Sequence, residues 1–176
     1  MISNHDHGTD NEEEGQHIRP VTLADAKAIT GIYNHYIKNT TVTFEIEPIT
    51  ADEMAGRIKD ISAHFPYFVY EKDGRILGYC YAHLWKQRAA YSKTLETTIY
   101  IDEHAVHHGI GSLMVEHLIK LCRAQGYHAL IACITEGNEA SVKMHERLGF
   151  KQVSEFKEVG KKFGRWLGVV DLEYIL

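Results

Sequence analysis

The chain has only three cysteines in 176 residues, Cys80, Cys122 and Cys133, widely spaced and set among apolar neighbours. An odd, dispersed set excludes a disulfide framework and a Cys-x-x-Cys metal clip; it suits reduced core thiols and a cytoplasmic setting. Long apolar runs are missing too. No stretch approaches the roughly 20 residues of a membrane span, and the N-terminus lacks the basic-then-apolar layout of a signal peptide. There is no run of Lys or Arg. The formal charge of −5 arises in residues 1–17, which hold five acids (Asp6, Asp10, Glu12, Glu13, Glu14) and no base, leaving 19 acids against 19 bases in residues 18–176. A neutral body without a basic cluster argues against nonspecific partners such as nucleic acid or an anionic membrane.

What remains is one domain of ordinary size. Hydrophobic residues make up 44% of the chain, enough for a single core within residues 18–176. Residues 1–17, rich in His, Asp, Glu, Asn and Gly, bury too little to offset the entropy of ordering and read as a disordered acidic and His-bearing tail.

Along the body, residues 18–21 read as a short strand. Thr22-Leu23-Ala24-Asp25 has the form of a capping box, and the apolar residues that follow (Ala28, Ile29, Ile32, Tyr33, Tyr36, Ile37) keep a helical period. A second box, Thr50-Ala51-Asp52-Glu53, introduces a helix with Met54, Ile58 and Ile61 on one face. Three strand-like runs follow, at residues 67–71, 76–84 and 94–101, the first two joined by an Asp73-Gly74 hairpin turn. A helix over residues 109–125, an apolar strand over 128–134, a helix over 139–148 and a return to strands complete the chain. No internal repeat is visible. The order β-α-α-β-β-β-α-β-α-β-β describes a mixed sheet flanked by helices.

His107-His108-Gly109-Ile110-Gly111-Ser112 lies between a strand and a helix, where exposed N–H groups and the helix dipole bind phosphate oxygens. The Gly-Lys-Ser/Thr of a P-loop is absent, and Gly109-x-Gly111 lacks the third glycine of a Rossmann turn. A pyrophosphate site of another architecture is the remaining functional reading; a simple turn is the bland one. His104, His107 and His108 lack the Cys or acidic partner that would complete a zinc set, so no metal is expected.

At this loop the chain resembles the GNAT superfamily of N-acetyltransferases, whose Gln/Arg-x-x-Gly-x-Gly/Ala loop binds the pyrophosphate of acetyl-CoA; Val106 stands at the usual Gln/Arg position. The resemblance extends over residues 18–176 and includes Asn138-Glu139-Ala140-Ser141-Val142-Lys143-Met144-His145, with His145 where a Tyr is common, followed by Gly149-Phe150. It is nearer still to phosphinothricin and methionine sulfoximine acetyltransferases through Asn34-His35-Tyr36-Ile37, Thr41-Val42-Thr43-Phe44, Trp85-Lys86-x-Arg88-x-Ala90-Tyr91 and Glu96-Thr97-Thr98-Ile99-Tyr100-Ile101. The resemblance implies an α/β (α+β) fold with a mixed, mostly antiparallel central sheet. It also implies acetyl-CoA as donor, a homodimer, and as acceptor the α-amine of a small amino acid bearing a tetrahedral sulfur or phosphorus group, a detoxifying activity.

The resemblance assigns Glu96 as general base and His145 as the acid for the departing thiolate. It places Ile99, Tyr100 and Ile101 beside the pantetheine arm, and His107, His108, Gly109, Ile110, Gly111, Ser112 and Asn138 around the rest of the cofactor. A guanidinium grips a carboxylate with two hydrogen bonds, so Arg88 is the candidate for the acceptor carboxylate, with Phe44, Trp85, Ala89, Ala90 and Tyr91 around it. Phe156, Phe163 and Trp166 are candidate dimer-surface residues. The competing readings are acetylation of a peptide N-terminus or polyamine, and a noncatalytic acetyl-CoA-binding module.

Overall fold

The structure, a computed structural model, describes residues 16–106 and 108–176. The tail assigned to residues 1–17 therefore lies, through residue 15, outside the described residues, as does His107. Gln16 and His17 are not tail: strand β1 (Gln16–Pro20) begins with them, two residues earlier than their polar character implied. An edge strand needs only backbone partners, and Gln16 and His17 sit opposite Lys72 and Glu71 of β2 (Tyr67–Lys72).

Both capping boxes start helices. The Asp25 carboxylate accepts from the Thr22 N–H at 2.7 Å and from both terminal guanidinium nitrogens of Arg19, opening a 3-10 turn that runs into α1 (Ala26–Asn39). That ion pair holds the Asp25 carboxyl below its usual range. Thr50 Oγ1 accepts from Glu53 N–H at 3.2 Å at the start of α2 (Ala51–Ser62). Strands β3 (Arg75–Leu84) and β4 (Thr94–Ile101) follow, then α3 (Ile110–Ala124), β5 (Ala129–Thr135), α4 (Glu139–Arg147), β6 (Lys151–Lys162) and β7 (Arg165–Ile175).

The seven strands form one sheet in the order β1-β2-β3-β4-β5-β7-β6, antiparallel throughout except between β4 and β5. Alternation along β2 divides the core: Tyr67 and Val69 pack against Ile29, Ile37 and Ile58 of α1 and α2, while Phe68 and Tyr70 face the Met114, Val115 and Leu118 side of α3. Cys80 and Cys122 are buried there, as the sequence suggested, but Cys133 is exposed. No helix among the described residues is long and apolar enough to cross a membrane.

Candidate active site

The parallel β4–β5 ladder is short. Thr94 to Thr97 pair with Ala129 to Ala132, after which the strands separate; β4 stays with β3 as far as Ile101↔Gly78, and β5 stays with β7 as far as Thr135↔Val169. The β5-facing edge of residues 98–101 is left without a strand partner. Buried main-chain groups must bond to something, so such an edge is a ready set of donors and acceptors. One acceptor is already in use, since the Tyr36 hydroxyl donates to the Ile101 carbonyl at 2.6 Å.

A cleft of about 710 Å³ fills this gap. Ile99, Tyr100 and Ile101 form one wall, Asn138, Ser141 and Met144 of α4 the other, and Gly109, Ile110, Gly111 and Ser112 the end. Gly109 has φ 78°, a left-handed conformation that lets the chain turn into α3, and no side chain caps that helix. The first N–H groups of α3 thus point out of the helix unpaired by its own turns. Lys143 and Arg147, four residues apart on α4, add positive charge to the lining. Asn138 both lines the cleft and caps α4, its Oδ1 accepting from Ser141 N–H at 3.4 Å. Val106 contributes an apolar lining group where the family pattern carries a polar one.

His108 departs from expectation: it lines a neighbouring depression with Lys72, Arg75 and His104 and is not among the residues lining the cleft. His145 departs further. It is 2% exposed, stacked edge-on against Phe150, and its Nδ1 lies 2.9 Å from the Ser141 carbonyl, while Nε2 has no partner among the described residues. Burial pushes its pKa below the ordinary histidine value. Sealed in this way and absent from the cleft lining, His145 stands in the packing of α4 on Phe150. His145→Leu is therefore expected to keep kcat within a few-fold and to be at least as stable near neutral pH, because a buried unpaired nitrogen costs roughly 1–3 kcal/mol. The unfolded chain takes up this proton near the usual histidine value and the folded chain resists it, so wild-type stability falls as pH drops through that value. Denaturant melts at about pH 7 and about pH 5 should show a smaller loss in the variant. A folded variant with kcat down about 100-fold would restore the acid role.

Glu96 lies beyond the cleft on the α1–α2 face of β4, its side chain 29% exposed and its Oε1 3.9 Å from His83 Nε2. Burial pushes its carboxyl above the usual range; His83 pulls it back, the Asp171 charge adds to the rise, and a hydrogen bond from Cys133 opposes it. The apolar run at residues 128–134 hid the exposure of Cys133, which sits beyond the last β4–β5 pair.

The acceptor candidates lie on two separate segments, and none of them is among the residues lining the cleft. Trp85 and Tyr91 meet edge to face at 5.4 Å, with the Lys86 ammonium over the indole at 3.8 Å. Between them Arg88, Ala89 and Ala90 are exposed on a 3-10 turn, and Arg88 has no ion-pair partner among the described residues. Phe44 lies against Gly160 of β6, in a loop tied down by Lys162, whose buried ammonium donates to the Thr43 carbonyl at 2.8 Å, and by the Thr135 hydroxyl on Val42. Tyr36, Val42, Lys143 and Arg147 were not singled out from sequence. The i, i+4 spacing of the two cations on α4 was the available signal.

Comparison with known proteins fits this geometry. Residues 18–169 match the acetyltransferase (GNAT) domain family. The chain is 38% identical over 149 residues to phosphinothricin N-acetyltransferase of Streptomyces viridochromogenes, covering 85% of this chain and 81% of the relative. It is 33% identical to the L-methionine sulfoximine/L-methionine sulfone acetyltransferase of Pseudomonas aeruginosa, covering 89% and 92%. The crystal structure of a GNAT phosphinothricin acetyltransferase from Sinorhizobium meliloti in complex with acetyl-CoA superposes with a TM-score of 0.89 at 33% identity, covering 92% of this chain and 89% of that one. A half-paired β4 opposite an uncapped α3, carried by a sequence that matches over this length, makes the chain a member of the acetyltransferase (GNAT) family.

Proposed function

We propose that the protein transfers the acetyl group of acetyl-CoA to the α-amine of a small amino acid whose side chain ends in a tetrahedral sulfur or phosphorus group. Methionine sulfoximine, methionine sulfone and phosphinothricin are the acceptors, and their acetylation is a detoxification. The observation that carries this reading is the open β4 edge facing an uncapped α3, in a chain that resembles enzymes named for these acceptors.

Acetyl-CoA supplies an activated acyl group. The amides at the start of α3 hold its pyrophosphate, with Lys143 and Arg147 adding charge, because oriented N–H groups and cations favour phosphate oxygens. Residues 98–101 offer main-chain groups to its pantetheine arm, and one N–H there polarises the thioester carbonyl. Asn138 contacts the cofactor while capping α4. Glu96 takes the proton from the acceptor ammonium, and its raised affinity for protons suits that task. Arg88 binds the acceptor carboxylate, and Phe44, Trp85, Ala89, Ala90 and Tyr91 shape the pocket. The thiolate takes its proton from water in the open cleft. No metal takes part, and neither nucleic acid nor a membrane is a partner.

A cytoplasmic setting goes with this reading, supported by two buried free thiols. Homodimerisation goes with it too. Val153, Phe156, Val159, Phe163 and Trp166 are all about half exposed along the β6–β7 ribbon, an apolar surface suited to a second copy. A monomeric mass by light scattering would remove the dimer.

An acceptor panel with acetyl-CoA, followed by thiol release, tests the activity. The expected result is rapid turnover of methionine sulfoximine, methionine sulfone or phosphinothricin, and little with peptides or polyamines. No turnover with any amine, despite acetyl-CoA binding, would leave a noncatalytic binding module; a preference for peptides or polyamines would overturn the acceptor class.

A further inference from the structure

The register places a polar row across five neighbouring strands on one face of the sheet. His83 of β3 lies opposite Glu96 of β4; Glu96 lies opposite Ile131, and Cys133 is two residues further along the same face of β5. Cys133 in turn lies opposite Asp171 of β7, and Asp171 opposite Ser154 of β6, whose hydroxyl donates to Asp171 Oδ2 at 2.8 Å. Cys133, the exposed one of the chain's three thiols, stands between the two carboxylates, whose proximity adds to burial in pushing its thiol up. A thiol has one hydrogen to donate, so it joins Glu96 and Asp171 without satisfying both at once.

We propose that Asp171 is a positioning residue for acceptor deprotonation, acting on Glu96 through the Cys133 thiol. The inference rests on the assignment of Glu96 as base and deepens it. Ser154 fixes Asp171, Asp171 and Cys133 fix the β5 side of Glu96, and His83 faces its other side with Nε2 at 3.9 Å, its Nδ1 being 2.9 Å from the Leu84 carbonyl. The same face also carries Glu173 of β7, opposite Ile131 and with Lys151 of β6 beyond it, the tyrosines Tyr67, Tyr79, Tyr81 and Tyr100, and the Glu45–Arg57 pair contributed by the α1–α2 loop and α2. A second carboxylate beside a half-buried one strengthens its hold on a proton, which favours transfer from an ammonium. The proton passes from the acceptor nitrogen to Glu96 and then to solvent, leaving the nitrogen lone pair free; Asp171 itself exchanges no proton.

The test is the pH dependence of kcat/KM. Activity falls as Glu96 protonates, so this acidic limb reports its proton affinity. In Asp171→Asn the limb should move to lower pH by roughly half to one unit, with kcat lower several-fold, because the neighbouring negative charge is gone. His83→Asn should move it the other way. Asp171→Glu should restore much of the wild-type profile, and Ser154→Ala, which keeps the charge, should leave the limb within about 0.2 unit. Cys133→Val should lower kcat several-fold, and Cys133→Ser should recover it. Thermal melts establish that each variant is folded. A limb unmoved in folded Asp171→Asn, with Glu96→Gln inactive, would overturn this inference and leave the base assignment standing. A fully active Glu96→Gln would take down both.

Discussion

Replacing Glu96 by Gln is expected to lower kcat by about 10²- to 10⁴-fold, the usual worth of a positioned general base. Gln keeps the shape and can still bond with Cys133, but it cannot take a proton. The KM for acetyl-CoA should change little, because Glu96 lies on the α1–α2 face of β4 and is not part of the cleft lining. Raising the pH should narrow the gap between variant and wild type, since more of the acceptor is then already a neutral amine. Initial rates of thiol release at saturating donor and acceptor give the comparison. A Glu96→Gln enzyme within a few-fold of wild type would show that the amine loses its proton elsewhere.

The second large effect is expected at Gly111. A Cβ there would lie 2.9 Å from Met144 Sδ, and 4.0 Å from Ile99 Cδ1, so the first turn of α3, α4 and β4 meet with no room to spare. Alanine is accommodated if the flexible Met144 thioether moves. Valine adds two further methyl groups at the end of the cleft, and overpacking of this kind costs about 1–3 kcal/mol. Expressed in cofactor binding, that corresponds to a rise of roughly ten- to a hundred-fold in KM for acetyl-CoA in Gly111→Val. Gly111→Ala should show a much smaller rise, and kcat at saturating donor should survive better than kcat/KM. Titration calorimetry with CoA checks the binding term directly. Unchanged affinity in a folded Gly111→Val would mean that the phosphates lie away from the start of α3.

These two residues show what local sequence carries and where it stops. The capping boxes at Thr22 and Thr50, the apolar stripe of α3 and the Asp73-Gly74 turn are short-range signals, and each appears in the fold close to its expected place. Gly111 was legible because a phosphate loop is itself local. The row linking His83 through Glu96 to Asp171 was not, because it is assembled from four strands whose register depends on the whole sheet. Cys133 illustrates the same limit: an unbroken apolar run reads as a strand covered on both faces, yet exposure at its end depends on where a neighbouring strand turns away. His145 shows a different limit. Its place in a motif was recognisable, but whether a helical side chain faces a cleft or the core depends on the helix's rotation about its axis, here set by packing on Phe150. At Gln16 and His17 polar residues concealed an edge strand, which backbone pairing with β2 extends through them.

The four-residue ladder between β4 and β5 also makes the sheet mechanically uneven. On one side lie β1 to β4, on the other β5, β7 and β6, each bound internally by longer, antiparallel ladders. A molecule wedged between them acts as the missing rungs of that seam, riveting two stiff plates that otherwise share a narrow hinge. Donor occupancy then sets how far the plates can flex. Because Glu96 is the third residue of the ladder and Thr97 the last, the proposed base stands at the hinge itself, where flexing of the plates displaces it least.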